Sequence, residues 1–262
     1  MVIIMNKYVE RKNEILAILS EQGSMTNSDI EKLFDISPAS ARRLCAALEA
    51  DGSVIRRRGG IRVTPQSQAA YSFELKSQEF GEEKIRIAKC ACESVHDDDV
   101  VFLEAGTTVY QCAVTLAERI SEGKCKNVTV FTNSLNNLRV LSPVTGVLLV
   151  GGEYRPARQD FVGYLSERFL RNLCFDHAFI GVDAIDEQDG LMVMDADTAR
   201  LDEVLLKKTA SVSIVAHSDK FGKRSLLPFG SLNDVDKIIT DTNLDLESYS
   251  RYSKFAAEII RV

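Results

Sequence analysis

The 262-residue sequence contains no long hydrophobic run. None of its apolar stretches approaches the ~20 consecutive residues that a membrane-spanning helix needs. The apolar segment at the amino terminus covers only residues 1–5, which is too short for the hydrophobic region of a signal peptide. We therefore expect a cytoplasmic protein that does not act at a membrane.

The six cysteines form no CxxC pair, the spacing at which many structural metal sites and redox centres place their thiols. Most of them fall inside apolar periodic patterns, as reduced cysteines of a protein core do. Cys90 and Cys92 are close in sequence, but no second pair accompanies them. The sequence therefore predicts reduced thiols, no metal site and no cofactor.

The chain also lacks an excess of positive charge, because 38 acidic residues outnumber 32 lysines and arginines and give a net charge of −6. This balance argues against a protein that coats nucleic acid along its whole surface. Residues 37–63 are the exception, since their six arginines are opposed only by Glu49 and Asp51 and leave a net charge of +4. A locally basic edge on an acidic body is typical of a protein that binds specific DNA sites.

The same segment predicts a recognition helix. Ser37-Pro38 places a good N-cap residue directly before a proline at the first helical position. Apolar residues then recur at helical spacing and turn one face inward, until Gly52 ends the helix. These inward residues are Ala41, Leu44, Cys45 and Leu48. The outward residues near the start of the helix are Ala39, Ser40, Arg42 and Arg43.

Two short strand-like runs follow, at residues 54–55 and 61–63, around a turn of three arginines and two glycines. A helix that enters the major groove and a basic hairpin that meets the phosphates are the two DNA-binding parts of a winged helix-turn-helix. The alternative is that these arginines form only a solvated face, but they lie on the two elements that would touch DNA. The predicted DNA-binding residues are Ser37, Ala39, Ser40, Arg42, Arg43, Arg56, Arg57 and Arg58.

The segment before residue 37 supplies the other helices of this motif. Apolar residues between positions 15 and 19 predict a first amphipathic helix that ends near Gly23. Thr26 and Asp29 have the spacing of a capping box, which opens a short second helix. Three helices and a wing predict a DNA-binding domain over residues 1–63, followed by a polar linker over residues 64–82.

From residue 83 to residue 262, apolar strands alternate with amphipathic helices. Strands are predicted at 100–103, 128–131, 147–150, 178–182, 212–216 and 237–240. Helices are predicted at 85–95, 109–120, 135–141, 162–173 and 201–208, and from about residue 246 to the end. This alternation predicts an α/β domain with a mostly parallel sheet, in which ligands bind at the carboxyl ends of the strands.

Five of the predicted strands are followed by glycine, hydroxyl or charged residues. The loop 104–108 combines a glycine that lets a ligand approach with two threonine hydroxyls and a helix amino terminus that favours an anion. We expect the five strand ends to form one composite pocket; the alternative is that these residues are only turns and caps. The predicted effector-binding residues are Gly106, Thr107, Thr108, Asn133, Ser134, Gly152, Asp183 and Lys220.

In this order the motifs resemble the DeoR (deoxyribonucleoside repressor) family of transcriptional regulators, over nearly the full length of the chain. In the amino-terminal part the resemblance rests on Arg42-Arg43 and Gly59-Gly60. In the remainder it rests on Ala105-Gly106-Thr107-Thr108, Thr132-Asn133-Ser134, Gly151-Gly152, Phe179-Ile180-Gly181, Ser218-Asp219-Lys220-Phe221-Gly222 and Ile239-Thr240-Asp241. The resemblance implies a sensor domain related to ribose-5-phosphate isomerases, which binds a phosphorylated sugar or sugar alcohol and thereby changes the affinity for operator DNA.

The resemblance also implies roles for individual residues and a set of partners. The glycine and threonines of the 104–108 loop, with Asn133 and Ser134, would contact the phosphate and hydroxyls, and Lys220 would stand where the family keeps its lysine. A symmetric operator requires at least a dimer, so we expect a homodimer or homotetramer on double-stranded DNA.

Five positions depart from the family pattern. Leu44 and His217 stand in place of acids, Glu104 in place of an aspartate, and Thr198 and Asp202 in place of a glutamate and a lysine. Because the lysine would be a ligand contact, its loss predicts an effector that is unusual, weakly bound or absent. His217 could serve acid–base chemistry, although a histidine at a strand end is more often a structural residue.

Functions from different classes remain open at this point. The first is a repressor of a carbohydrate-utilisation operon, controlled by a phosphorylated sugar, and a variant of it is a regulator whose pocket is degenerate. The second is a sugar-phosphate isomerase-like enzyme, which needs a carboxylate base beside a lysine. Residues 198–202 lack the expected glutamate, so we predict a regulator without catalytic residues.

Overall fold

A computed structural model describes residue 11 and residues 14–15, 18–19, 24–50, 54–57, 59–62, 73–255 and 257–262, with only the backbone at positions 74 and 75. Four of the predicted features lie outside the described residues: Arg58, the glycines at positions 23 and 52, residue 63 of the predicted hairpin, and residues 64–72 of the linker. The chain divides into two compact units, residues 1–78 and residues 79–262.

The first unit contains the helix-turn-helix and the hairpin that the sequence predicts. Helix α1 is described at positions 11, 14, 15, 18 and 19. The other elements are β1 (Ser24–Thr26), α2 (Asn27–Phe34), α3 (Pro38–Ala50), β2 (Ile55–Arg57), β3 (Gly60–Arg62) and α4 (Phe73–Gln78). The three strands form an antiparallel sheet in the order β1-β3-β2. Strand β1 was not predicted, because three residues are too few to show a strand period.

The predicted inward face of α3 is confirmed by the packing of the first unit. Its core is formed by Ile15, Leu19, Met25, Ile30, Ala41, Leu44, Cys45, Leu48, Val54 and Ile61. The capping box is confirmed as well, since Thr26 Oγ1 accepts the Asp29 N–H at 3.1 Å and the Asp29 carboxylate accepts the Thr26 N–H at 2.9 Å. These two bonds satisfy amide groups that the first turn of a helix leaves without partners.

Seven parallel strands form the main sheet of the second unit, in the order β15-β14-β12-β9-β4-β5-β6. These strands are β4 (Val100–Leu103), β5 (Thr129–Thr132), β6 (Val147–Leu149), β9 (Phe175–Ile180), β12 (Thr209–Val215), β14 (Lys237–Thr240) and β15 (Glu258–Arg261). The chain runs from β4 outward to β5 and β6, and then returns to the other side of β4 through β9. The order therefore reverses between β4 and β9, which is where ligands bind in open sheets of this kind.

Helices and small antiparallel strands surround this sheet. The helices are α5 (Gly81–Cys92), α6 (Thr107–Ser121), α7 (Leu135–Leu141), α8 (Tyr164–Leu170), α9 (Ala196–Lys208) and α10 (Leu246–Tyr252). The small strands are β7 (Glu153–Arg155), β8 (Asp160–Val162), β10 (Ala184–Asp186), β11 (Gly190–Val193) and β13 (Leu227–Gly230). Within the described residues, no helix is both long enough and apolar enough to span a lipid bilayer.

The main sheet is buried on both faces, as its continuously apolar strands predict. Phe102 belongs to one hydrophobic cluster, together with residues of α9, while its neighbours Val101 and Leu103 belong to a second cluster with residues of α5 and α6. Successive side chains of a strand point to opposite faces, so β4 contributes to both layers of the core.

Several predicted boundaries are wrong, and each error has a local cause. The predicted helix 162–173 is only Tyr164–Leu170, because the preceding residues pair as the hairpin of β7 and β8. Helix α9 begins at Ala196 rather than residue 201, since the Asp195 carboxylate caps it by accepting the Thr198 N–H at 2.9 Å. The end of the chain is not helical beyond Tyr252; it forms strand β15, whose short apolar run fits either structure by period alone.

We expect Gly60→Ala to destabilise the first unit. A Cβ at this position would lie 2.2 Å from the carbonyl oxygen of Met25, because β1 and β3 approach closely there. The free energy of unfolding should fall by about 1–3 kcal/mol, as in other overpacked sites. Chemical denaturation followed by circular dichroism measures this change. Gly81→Ala is the matched control, since nothing lies within 4 Å of its Cβ position, and equal stability of the two variants would contradict the prediction.

Candidate functional sites

The start of helix α3 presents the predicted DNA-contacting side chains to solvent. Ser37, Ala39, Arg42 and Arg43 are exposed and Ser40 is half-buried. The hydroxyl of Ser37 donates to Ser40 Oγ at 3.0 Å, and the Arg43 guanidinium donates to the same oxygen at 3.4 Å. Leu44, which departs from the family pattern, points the other way and is buried in the core. An acid at that position of this chain would be desolvated.

The hairpin carries its arginines on the exposed side. Arg56 and Arg57 on β2 are exposed. Glu49 near the end of α3 accepts the Arg56 N–H at 3.2 Å, and its carboxylate lies 3.8 Å from the Arg56 guanidinium. The wing is thus tied to the helix that precedes it, and both present positive charge to solvent.

In the second unit, the predicted loop after β4 lies at the point where the strand order reverses. Gly106 has a φ of +144°, a conformation that favours glycine, and it directly precedes the 15-residue helix α6. Thr107 and Thr108 form the first turn of α6 and are each 8% exposed. Glu104 is buried, and one of its carboxylate oxygens accepts the Gly181 N–H from the end of β9 at 3.3 Å. This loop therefore joins the two strands that flank the reversal.

The loop after β5 is joined to the same place by buried hydrogen bonds. Thr132 Oγ1 donates to the carbonyl of Leu103 at 2.6 Å, and Asn137 Nδ2 donates to the carbonyl of Glu104 at 3.0 Å. Ser134 Oγ accepts the Asn137 N–H at 3.3 Å and so caps α7. Asn133 donates to the Phe161 carbonyl at 3.1 Å, while its buried Oδ1 has no hydrogen-bond partner among the described residues.

Of the other predicted effector residues, Gly152 has a clear packing role. A Cβ there would lie 2.2 Å from Ser166 Oγ and 2.4 Å from the carbonyl oxygen of Val162. Asp183 follows β9 and accepts the Met194 N–H at 2.8 Å. Lys220 is half-buried in a short 3-10 turn at Ser218–Lys220, and its N–H donates to the carbonyl of His217 at 3.0 Å.

The environment of His217 indicates a structural residue. Its ring is 7% exposed and stacks on Phe80, with ring centroids 4.1 Å apart. Burial, together with the positive charges of Lys220 and Lys84, lowers the pKa of His217 to about 4. The imidazole is therefore neutral near pH 7, and it has little tendency to take up a proton as a general base would.

Sequence reasoning missed a network of buried ion pairs beside the reversal point. Arg155 on β7 donates to both carboxylate oxygens of Asp160, at 2.8 and 2.5 Å, and to the Asp195 carboxylate at 2.7 Å. Arg158 donates to the other oxygen of Asp195 at 3.1 Å. Arg155 also donates to Thr198 Oγ1 at 3.0 Å. The network fixes the β7–β8 hairpin to the start of α9. Its members have no regular spacing in the sequence, so these ion pairs could not be predicted from the sequence.

Asp202 lies one turn beyond Thr198 on α9 and is fully buried. Neither of its carboxylate oxygens has a hydrogen-bond partner among the described residues. Burial and the nearby charge of Glu104 hold the pKa of Asp202 well above its usual range. Burial also raises the pKa of Glu104, to about 8, against the opposing effect of Arg158. Glu104 and Asp202, two of the five departures from the family pattern, are therefore both buried and lie close enough for their charges to interact.

Two of the three histidines lie near the amino-terminal ends of β4 and β9, at the strand ends opposite the loops described above. His177 Nε2 lies 3.4 Å from Asp99 Oδ2, and His96 Nδ1 lies 4.0 Å from the same oxygen. The three side chains could hold a metal ion. The sequence prediction of no metal site rested on cysteine spacing and did not consider His96 and His177, which are 81 positions apart in the sequence.

Comparison with known proteins assigns each of the two units, residues 1–78 and residues 79–262, to a known domain family. Residues 11–67 match the DeoR-like helix-turn-helix domain, and residues 79–242 match the DeoR C-terminal sensor domain. The chain belongs to the DeoR family. The resemblance predicted from the motifs is confirmed, and both halves of this DeoR-family chain contribute to it.

Named regulators are similar to the DeoR-family chain along almost its whole length. The lactose phosphotransferase system repressor of Lactococcus lactis subsp. lactis is 32% identical, with 95% of this chain and 98% of that protein covered. The transcriptional repressor GlcR of Bacillus subtilis is 31% identical, with 88% of each covered. Among solved structures, a D-ribose-5-phosphate isomerase in complex with phospho-erythronic acid is 15% identical over 54% of each chain, with a TM-score of 0.41.

We expect the stability of the DeoR-family chain to depend on His217 below neutral pH. Its pKa is 6.5 in the unfolded chain and about 4 when folded, so the unfolded state takes up the proton first as the pH falls. The free energy of unfolding should therefore fall by about 2 kcal/mol between pH 7 and pH 5. Denaturant titrations of the chain and of His217→Phe, which keeps a ring against Phe80, measure the difference. A parallel pH dependence of the two proteins would contradict it.

Proposed function

We propose that this chain is a DNA-binding transcriptional repressor of a carbohydrate-utilisation operon, controlled by a phosphorylated sugar or sugar alcohol. The observation that carries the proposal is the match to named repressors over both units, at 31–32% identity. In the alternative, a regulator with a degenerate pocket, the first unit would still bind DNA but a sugar phosphate would no longer control that binding.

The exposed surface of the first unit supports the DNA-binding role. We infer that α3 enters the major groove, with Arg42 and Arg43 near base edges, and that Arg56 and Arg57 of the wing contact phosphates. The Glu49–Arg56 contact would hold the wing in register with the helix. A palindromic operator would then call for a homodimer or homotetramer.

The loops at the strand reversal support the sensor role. We infer that the phosphate lies at the amino terminus of α6, where Gly106 carries no side chain, no side chain caps the helix and the helix dipole favours an anion. Thr107, Thr108, Asn133 and Lys220 would contact the rest of the effector. Ser134 and Gly152 would act indirectly, because the hydroxyl of one caps α7 and the other permits close packing.

We propose regulation rather than catalysis for this site. An isomerase moves protons with a carboxylate base and a neighbouring group that can also exchange protons. The cation that acts most strongly on Asp202 is Arg158, and a guanidinium does not give up its proton in proteins. His217, the histidine at this end of the strands, is buried against Phe80.

We expect the double variant Arg42→Ala, Arg43→Ala to lose operator binding selectively. Each arginine that reads a base edge contributes about 1–3 kcal/mol of discrimination, so affinity for an operator selected from random duplexes should fall at least tenfold. Affinity for unrelated DNA should fall less. Arg57→Ala should weaken binding to the operator and to unrelated DNA alike. It should also reduce the slope of log affinity against log salt concentration by about one.

Gel-shift titrations at two salt concentrations measure these effects. Arg168→Ala, an exposed arginine on α8 in the second unit, is the matched control and should bind like the unaltered chain. Unchanged operator affinity in the double variant would exclude α3 as the recognition helix.

A further inference from the structure

Four carboxyl groups and two guanidinium groups form a cluster beside the strand reversal, in which three carboxyl groups are buried and the other three members are half-buried. We call it the carboxylate cluster; its members are Glu104, Asp160, Asp195, Asp202, Arg155 and Arg158. The two arginines are held by Asp160 and Asp195 at hydrogen-bond distances of 2.5 to 3.1 Å. Glu104 and Asp202 are therefore two carboxyl groups in excess of the guanidinium groups, and burial raises the pKa of both, to about 8 for Glu104, so that they tend to hold protons until a cation arrives.

The two excess carboxyl groups are costly to bury as they stand. Asp202 is 0% exposed and Glu104 is 3% exposed, and both oxygens of Asp202 lack a hydrogen-bond partner among the described residues. A buried polar group without a partner loses its hydration and gains nothing in exchange. Such a pair is retained at a cost to stability, which is typical of groups that meet a ligand.

The position of Glu104 connects this pair to the effector site. Its carboxylate oxygen lies 3.7 Å from the place where a Cβ of Gly106 would stand and accepts the Gly181 N–H. A sugar phosphate anchored at the start of α6 would therefore bring its other substituents beside Glu104. Asp202 approaches the same place from α9, close enough for its charge to act on Glu104.

We propose that the effector is a phosphorylated amino sugar, whose ammonium group is bound by Glu104 and Asp202. The inference rests on the proposed function, since it names the class of the effector. An ammonium group donates three hydrogen bonds and stabilises the ionised carboxylates, which release their protons to water when it binds, whereas a hydroxyl group donates only one and remains neutral. The lysine that the family pattern places at position 202 would repel such a ligand, and the aspartate attracts it.

Calorimetric titration of the full chain tests the inference with matched probes. Glucosamine 6-phosphate and galactosamine 6-phosphate are compared with glucose 6-phosphate, galactose 6-phosphate and the N-acetylated amino sugars, which lack the charge. We expect the free amines to bind at least tenfold more tightly. Asp202→Asn and Glu104→Gln should each reduce that preference at least fivefold while the chain stays folded. Glu203→Gln, the exposed neighbour on α9, is the control and should keep it.

The outcomes separate the inference from the proposed function. Equal binding of amine and hydroxyl probes, or an unchanged preference in both variants, overturns the amino-sugar assignment and leaves sugar-phosphate control intact. If no probe binds or alters operator affinity, the effector half of the proposed function fails together with the inference. Thermal unfolding of each variant shows whether a loss of binding reflects a loss of fold.

A different observation carries a second inference, at the amino-terminal edge of the sheet. Asp99 directly precedes β4, and His177 lies on the neighbouring strand β9 opposite Val101. The ligand atoms of His96, Asp99 and His177 all lie within 4.8 Å of one another. Three ligands bound to one ion at about 2.0–2.2 Å are separated by similar distances after small side-chain adjustments.

We infer that His96, Asp99 and His177 bind a transition-metal ion such as Zn²⁺, with water completing the coordination. The site would tie the loop before β4 to β9. It lies at the strand end opposite the effector loops, so metal binding should raise stability without requiring the effector.

Titration of the metal-free full chain with Co²⁺ tests this site. We expect visible absorption that saturates at one Co²⁺ ion per chain and disappears when Zn²⁺ displaces Co²⁺. The thermal unfolding temperature should rise with either ion. His96→Asn and His177→Asn should each abolish the absorption, whereas His217→Phe should keep it. The background variant Cys174→Ser excludes binding by the exposed thiol. Undiminished Co²⁺ binding in His177→Asn would overturn the assignment.

Discussion

The hydrogen bonds that join the carboxyl ends of β4, β5 and β9 are the constraint on which the second unit depends. Thr132 bonds to Leu103, Asn137 bonds to Glu104, and Glu104 bonds to Gly181. Each bond links segments that follow different strands; the first two are buried and the third is partly buried. The loops that follow these strands are therefore fixed by the sheet itself, and the residues that would meet an effector need little further ordering when one arrives.

The buried arginines extend that order to elements outside the sheet. Arg155 binds residues of β8 and α9 at once, so the hairpin and the helix cannot separate without exposing unpaired charge. Breaking such a pair is far more costly than never having made it. The same arginines bind Asp160 and Asp195, and in the proposed effector site Glu104 and Asp202 would be the carboxyl groups that meet a ligand.

The sequence predicted what depends on periodicity and failed where partners are distant. Helices α2 and α3 of the first unit have clear apolar periods, the central strands of the second unit are continuous apolar runs, and the structure confirms both. Three-residue strands such as β7 and β10 have no period to detect. The roles of Arg155 and His177 depend on residues that the fold brings together from elsewhere. Asp202 was recognised as unusual from its position in the motif, but its burial beside Glu104 required the packing of α9 on the sheet.

The two functional regions differ in how easily evolution can change them. On α3 the inward residues form the core, while Ala39, Arg42 and Arg43 are exposed and can be replaced with little effect on folding. Under the proposed DNA-binding role, new operator sequences would be accessible through single substitutions. In the carboxylate cluster a change at Arg155, Asp160 or Asp195 leaves another charge without its partner. Under the proposed effector role, a new effector would require coordinated substitutions, so that target genes would change far more readily across generations than the signal that controls them.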